Sequence, residues 1–77
     1  MEITVLLFGN LAQIAGVDKI TLSDVNDTDF ANELILAKYP TFKNSKYAIA
    51  VNKQLIKEKQ ILCDGDELVF LPPFSGG

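Results

Sequence analysis

The chain has 77 residues, 48% of them apolar and 22% charged, which gives room for one globular domain with one small core and excludes a disordered segment. Seven lysines stand against ten acids, with no arginine and no histidine, for a net charge of −3. That balance lacks the basic cluster of a nucleic-acid groove, the usual general base near neutral pH and the commonest zinc ligand.

No apolar run approaches the roughly 20 residues that cross a bilayer, so no membrane partner is expected. A single cysteine, Cys63, leaves no internal disulfide and fits a reducing cytoplasm. It also lacks a partner for the usual nucleophile arrangements, and it reads as a small apolar residue, not as a persulfide relay. Asp64 and Asp66 are accounted for by a turn, so no metal site is assigned. The side chains are poor candidates for chemistry, and the terminal carboxylate remains.

In chain order, Glu2 to Phe8 alternates Ile3, Val5 and Leu7 with Thr4, Leu6 and Phe8. Both sets are largely apolar, which predicts a central strand covered at least in part on both faces. Asn10 reads as the N-cap of a short helix, with Gln13 reaching back to it, Leu11, Ile14 and Ala15 inward, and Gly16 at the end. Lys19 to Leu22 is a second strand, antiparallel to the first because so few residues separate them.

Asp24 to Asp29 is an acidic joint in which Asp27 or Thr28 caps the main helix and Asp29 suits its dipole. Phe30, Leu34 and Ala37, with Ala31 and Ile35 beside them, recur at helical spacing and read as core. The helix stops before Pro40. Thr41 to Lys46 is polar and reads as a loop or 3₁₀ turn. Tyr47 to Val51 is a strand, Asn52-Lys53 a turn, Leu55-Ile56 a short return, and Lys57 to Lys59 a solvated bend. Ile61-Leu62 re-enters the core before the turn at Asp64-Gly65, and Asp66 to Leu71 is the last strand.

One long helix covers one face of the resulting sheet, so the fold class is α+β of the β-grasp (ubiquitin-like) kind. The expected architecture is a mixed sheet of four to five strands with the first and last strands side by side and parallel, plus a short helix. With Ile3, Val5, Leu7, Leu68 and Phe70 facing the helix, Leu6, Phe8, Val69 and Leu71 point the other way with nothing left to cover them. Such a patch is a candidate docking surface for a different protein; covering loops or self-association are the competing readings.

Residues 1–71 form the domain and residues 72–77 an extended tail. Pro72-Pro73 stiffen its start, and Pro72 to Gly77 reach about 20 Å at about 3.3 Å per residue. A tail of this kind, ending on two residues without side chains, suits delivery of its carboxylate into a narrow site on another protein.

The run Leu62-Cys63-Asp64-Gly65-Asp66-Glu67-Leu68-Val69-Phe70-Leu71-Pro72-Pro73-Phe74-Ser75-Gly76-Gly77 resembles the C-terminus of the molybdopterin synthase small-subunit (MoaD) family. Val5-Leu6-Leu7-Phe8-Gly9 and Ala50-Val51-Asn52-Lys53 look like that family too. The resemblance implies a sulfur carrier for molybdenum cofactor synthesis, itself without cofactor and without catalytic side chains. A ubiquitin-activating-like enzyme, using ATP and Mg, would adenylate the Gly77 carboxylate. A sulfur donor such as a cysteine desulfurase or rhodanese would supply the sulfur for a thiocarboxylate. The large, catalytic synthase subunit would receive the tail in a heterotetramer.

Carried over by position, Gly77 bears the adenylate and thiocarboxylate, and Gly76 keeps the channel passage clear. Leu71 and Phe74 contact partners, with Pro72, Pro73 and Ser75 beside them. Cys63, where a small polar residue is usual, and a short segment at Thr41 to Lys46 depart from the family. The alternatives are a ubiquitin-like protein modifier, a sulfur carrier for tRNA thiolation or thiamine synthesis, and a binding module with an inert tail.

Overall fold

The structure, a computed structural model, describes residues 2–72. Six residues from Glu2 to Leu7 form β1, followed by α1 (Asn10–Ala15), β2 (Lys19–Ser23) and α2 (Thr28–Lys38). A 3₁₀ turn at Pro40–Asn44 leads into β3 (Ala48–Val51), β4 (Gln54–Leu55) and β5 (Glu67–Leu71). The sheet order is β2-β1-β5-β3-β4. β1 and β5 pair parallel, with Leu7 opposite Phe70, and the other neighbours are antiparallel. This is the β-grasp arrangement expected, with the first and last strands at the centre. The tail assigned to 72–77 lies outside the described residues except for Pro72.

The period-2 pattern of the central strands decides which face is covered. Ile3, Val5 and Leu7 join Leu68 and Phe70 in one buried cluster with Ala31 and Ile35 of α2. The helix turns a different stripe to the sheet from the one its apolar spacing suggested. Thr28, Ala31 and Ile35 are its buried positions, Leu34 packs at the edge, and Phe30 and Ala37 are exposed. Thr28 explains the rotation, because its buried hydroxyl accepts the Gln60 N–H at 2.9 Å and ties the helix start to the loop before β5. The N-cap is Asp27, whose carboxylate accepts the Phe30 N–H at 2.8 Å, with Asp29 in the first turn.

α1 departs from expectation at its start. Asn10 is its first helical residue, no side chain caps it, and Gly9 occupies the N-cap position. Gln13 therefore makes no capping box; its backbone N–H reaches the Gly9 carbonyl at 3.4 Å. Leu11 is buried, Ala12 and Ala15 pack on the core, and Ile14 faces solvent. Gly16 ends the helix in the left-handed conformation, φ 78°.

The segment read as a polar loop carries Phe42, fully buried. Its ring stacks on Tyr39 at 5.5 Å and meets Tyr47 edge-on at 6.0 Å, and Tyr47 stacks on Phe70 at 5.1 Å. One file of aromatics thus links the helix C-terminus to the central strand. Ile61 does not re-enter the core: it bridges Asp27 at the surface, and only Leu62 is buried. The Asn52-Lys53 turn is confirmed, both residues having positive φ as a tight hairpin of matching twist requires.

Candidate functional site

Register assigns the sheet's outer face residue by residue. Lys19, Leu6, Val69, Ala50 and Leu55 lie opposite one another in a row across all five strands. Nearer the tail, Leu71 pairs with Ala48, and Phe8 continues the β1 ladder by donating its N–H to the Phe70 carbonyl at 3.3 Å. Neither helix contributes to this side, since the buried residues of both belong to the single cluster on the opposite face.

Within that band the residues differ in accessibility. Phe8 is 48% exposed and Leu55 67% exposed, while Leu6 and Leu71 are half-buried. Val69 was expected to be uncovered and is only 9% exposed. It sits on a central strand with Leu6 and Ala50 in register on either side, and lateral packing removes most of its surface. Leu55 was not singled out from sequence, yet it is the most open apolar residue of the row. The signal available was period 2 carried through the Asn52-Lys53 turn into a return strand of two residues.

The tail's root is the second part of the site. Gly9 has φ 58° and ψ −132°, a combination that side-chain-bearing residues avoid. A Cβ built there would lie 3.0 Å from Cγ of Pro72. The parallel register explains the proximity: with Leu7 opposite Phe70, two further residues on each strand bring position 9 alongside position 72. Pro73, Phe74, Ser75, Gly76 and Gly77, all candidate site residues, lie outside the described residues.

The far end of β5 is held by a polar clasp. The Asp66 carboxylate accepts the Cys63 N–H at 2.8 Å and the Asn52 side-chain amide at 3.0 Å, and Asn52 accepts the Glu67 N–H at 3.0 Å. Asp64 accepts the Glu2 N–H at 2.7 Å. The hydrogen bonds from Cys63 and then Asn52 hold the Asp66 carboxyl below the usual carboxylate range, against slight desolvation. Cys63, expected to pack as a half-buried small apolar residue, is instead exposed, because it lies in the turn before β5, at the opposite end of that strand from the tail. Five strand residues at about 3.3 Å each separate the two by roughly 16 Å, too far for the thiol to reach the root of its own tail. Among the described residues no group of three or more acids, cysteines or histidines is placed to hold a metal ion. No described helix is long and apolar enough to cross a membrane.

Comparison with known proteins places this geometry. The ThiS family matches residues 5–77. The molybdopterin synthase sulfur carrier subunit of Chlamydomonas reinhardtii is 34% identical over 83 residues, covering 100% of both chains. The small archaeal modifier protein 1 from Methanosarcina acetivorans has a similar solution structure, with TM-score 0.85 and 29% identity over 99% of this chain and 96% of that one. A chain of the complex between subunits 1 and 2 of the Helicobacter pylori molybdopterin-converting factor matches with TM-score 0.77 and 29% identity over 100% of both chains. The fold, the strand register and these end-to-end likenesses agree: the chain belongs to the ThiS family, together with the molybdopterin synthase sulfur carrier subunits.

Proposed function

We propose that this chain is the sulfur carrier subunit of a molybdopterin synthase and that the Gly77 carboxylate is its working group. The observation that carries the reading is the 34% identity to a molybdopterin synthase sulfur carrier subunit over the whole length of both chains. A free carboxylate resists attack because its charge repels nucleophiles. In the proposed sequence it first displaces pyrophosphate from ATP on an adenylating partner that supplies ATP and Mg. A hydrosulfide equivalent from the sulfur donor then attacks the acyl carbonyl, AMP leaves, and the product is a thiocarboxylate. The large synthase subunit accepts the tail, sulfur passes to the pterin precursor, and water restores the carboxylate.

This chain's own contribution is position. Phe8, Leu6, Leu71 and Leu55 offer an apolar band on which the large subunit docks, with Val69 a minor contact at its centre. Pro72, Pro73, Phe74 and Ser75 contact the partner along its passage, and Gly76 and Gly77 present no Cβ to a narrow channel. Docking of the folded body holds the reacting group in place, which lowers the entropic part of the barrier.

Intact-mass analysis after incubation with an adenylating enzyme, ATP and sulfide tests the reading. The expected result is a gain of about 16 Da, one oxygen exchanged for sulfur, abolished by deleting Gly77. No gain, or a gain that survives the deletion, refutes it. The likeness to the small archaeal modifier protein 1 supports a second reading, attachment of Gly77 to lysines of other proteins, which the same samples would reveal as isopeptide adducts.

A further inference from the structure

We infer that Gly9 is a positioning residue for the carrier's tail, acting through Pro72; this rests on the sulfur-carrier reading. Two facts meet at this point. β1 and β5 run parallel in register, so their last residues end side by side. The two strands then part, β1 leading through Gly9 into α1 and β5 ending at Leu71, before Pro72, which has no N–H with which to extend the ladder. The Pro72 ring occupies the space that a side chain on Gly9 would need, with its Cγ 3.0 Å from the ideal Cβ position and its Cβ and Cδ each at 3.9 Å.

A contact of 3.0 Å between carbons forces one group to give by some tenths of an ångström. The proline ring is rigid and bonded twice to its own backbone, so it can move only by turning the chain that leaves β5. Held extended in a partner's channel, the five residues after Pro72 reach about 16 Å. A turn of about 10° at Pro72 would shift the end of that lever by roughly 3 Å, and misplacement by about 1 Å already costs up to a hundredfold in reactions that depend on alignment. The binding surface and the activated carboxylate would both be intact, with the one misdirected relative to the other.

Gly9→Ala also strains the backbone at a positive φ, and a merely structural role would show only that strain. A double-mutant cycle with Pro72→Ala separates the two, because that change removes the ring atom at 3.0 Å and leaves the strain untouched. The preformed thiocarboxylates of wild type, Gly9→Ala, Pro72→Ala and the double variant are assayed for sulfur transfer on the large subunit. Thermal melting is followed on the same four proteins. Expected is a roughly tenfold loss in kcat/KM from Gly9→Ala in the wild-type background and less than about twofold in the Pro72→Ala background. The melting temperature should fall in both, because the strain at the positive φ of Gly9 is common to them. The free wild-type protein should also give a nuclear Overhauser contact between Gly9 Hα and the Pro72 ring. An active wild type with equal transfer losses in both backgrounds, or without that contact, overturns the role of Gly9 alone. A wild type that acquires no sulfur overturns the carrier reading and the transfer role with it.

Discussion

Replacing Phe8 with alanine tests the docking face most directly, because Phe8 is the large apolar residue that bridges the band and the tail's root. The residue is 48% exposed, and a phenylalanine side chain presents about 150–250 Å², so roughly 100 Å² is left for a partner to cover. At about 25 cal/mol per Å² that area is worth about 2.5 kcal/mol, or about 60-fold in Kd. Folding should suffer much less, since Phe8 is absent from the buried cluster. Titration calorimetry against the large subunit, paired with thermal melting of the free variant, reads both effects. Unchanged affinity would remove Phe8 from the interface. A collapse in melting temperature would mean that the ring supports the domain and that the outer face has been misassigned.

Phe42→Ala should cost about 3–5 kcal/mol, a large share of the roughly 4–12 kcal/mol available to a domain this size. A loss under about 1 kcal/mol in urea unfolding would contradict the aromatic file described above. Asp66 supplies a pH dependence. Its folded pKa lies below its ordinary value near 3.8, so the unfolded chain binds the proton more readily. The stabilisation is complete above the unfolded value and is lost as pH falls through the folded one. Asp66→Asn should therefore lower the urea midpoint at pH 7, with the gap to wild type narrowing as the pH is taken down through the depressed folded pKa; a gap that stays constant as the pH falls would discard the clasp's electrostatic part.

Strands were legible in the sequence because a period of two is hard to disguise when both faces are apolar. From it followed the split between Leu68 and Phe70 on one face and Leu71 on the other, while the parallel pairing of β1 with β5 came from the order of the elements in a β-grasp arrangement. Helices were read less well. On α2, Phe30 looked like core by size and spacing, but Thr28 rotates the helix by hydrogen-bonding Gln60, a partner 32 residues away that no local pattern contains. Asn10 looked like an N-cap by residue type, while the position is set by Gly9 and the turn it makes away from Pro72. Phe42 was hidden among polar neighbours, and its burial depends on Tyr39, Tyr47 and Phe70 converging from three separate elements. At the site, the composition of Leu6, Phe8 and Leu71 disclosed the apolar face. The near-burial of Val69 and the openness of Leu55 needed the strand order.

The place of β5 governs when the sheet can close as the chain folds. Leu68 and Phe70, buried in the common cluster, follow all the other strands and helices in chain order, and the strand they occupy lies between β1 and β3. The earlier elements wait, without a centre to close on, until residues 67–71 emerge, as folds built on distant pairings generally must. A nascent chain broken off before that point lacks the strand that joins the two halves of the sheet and is open to proteases. The sheet's outer face and the strand that leads into Pro72 therefore form together or not at all.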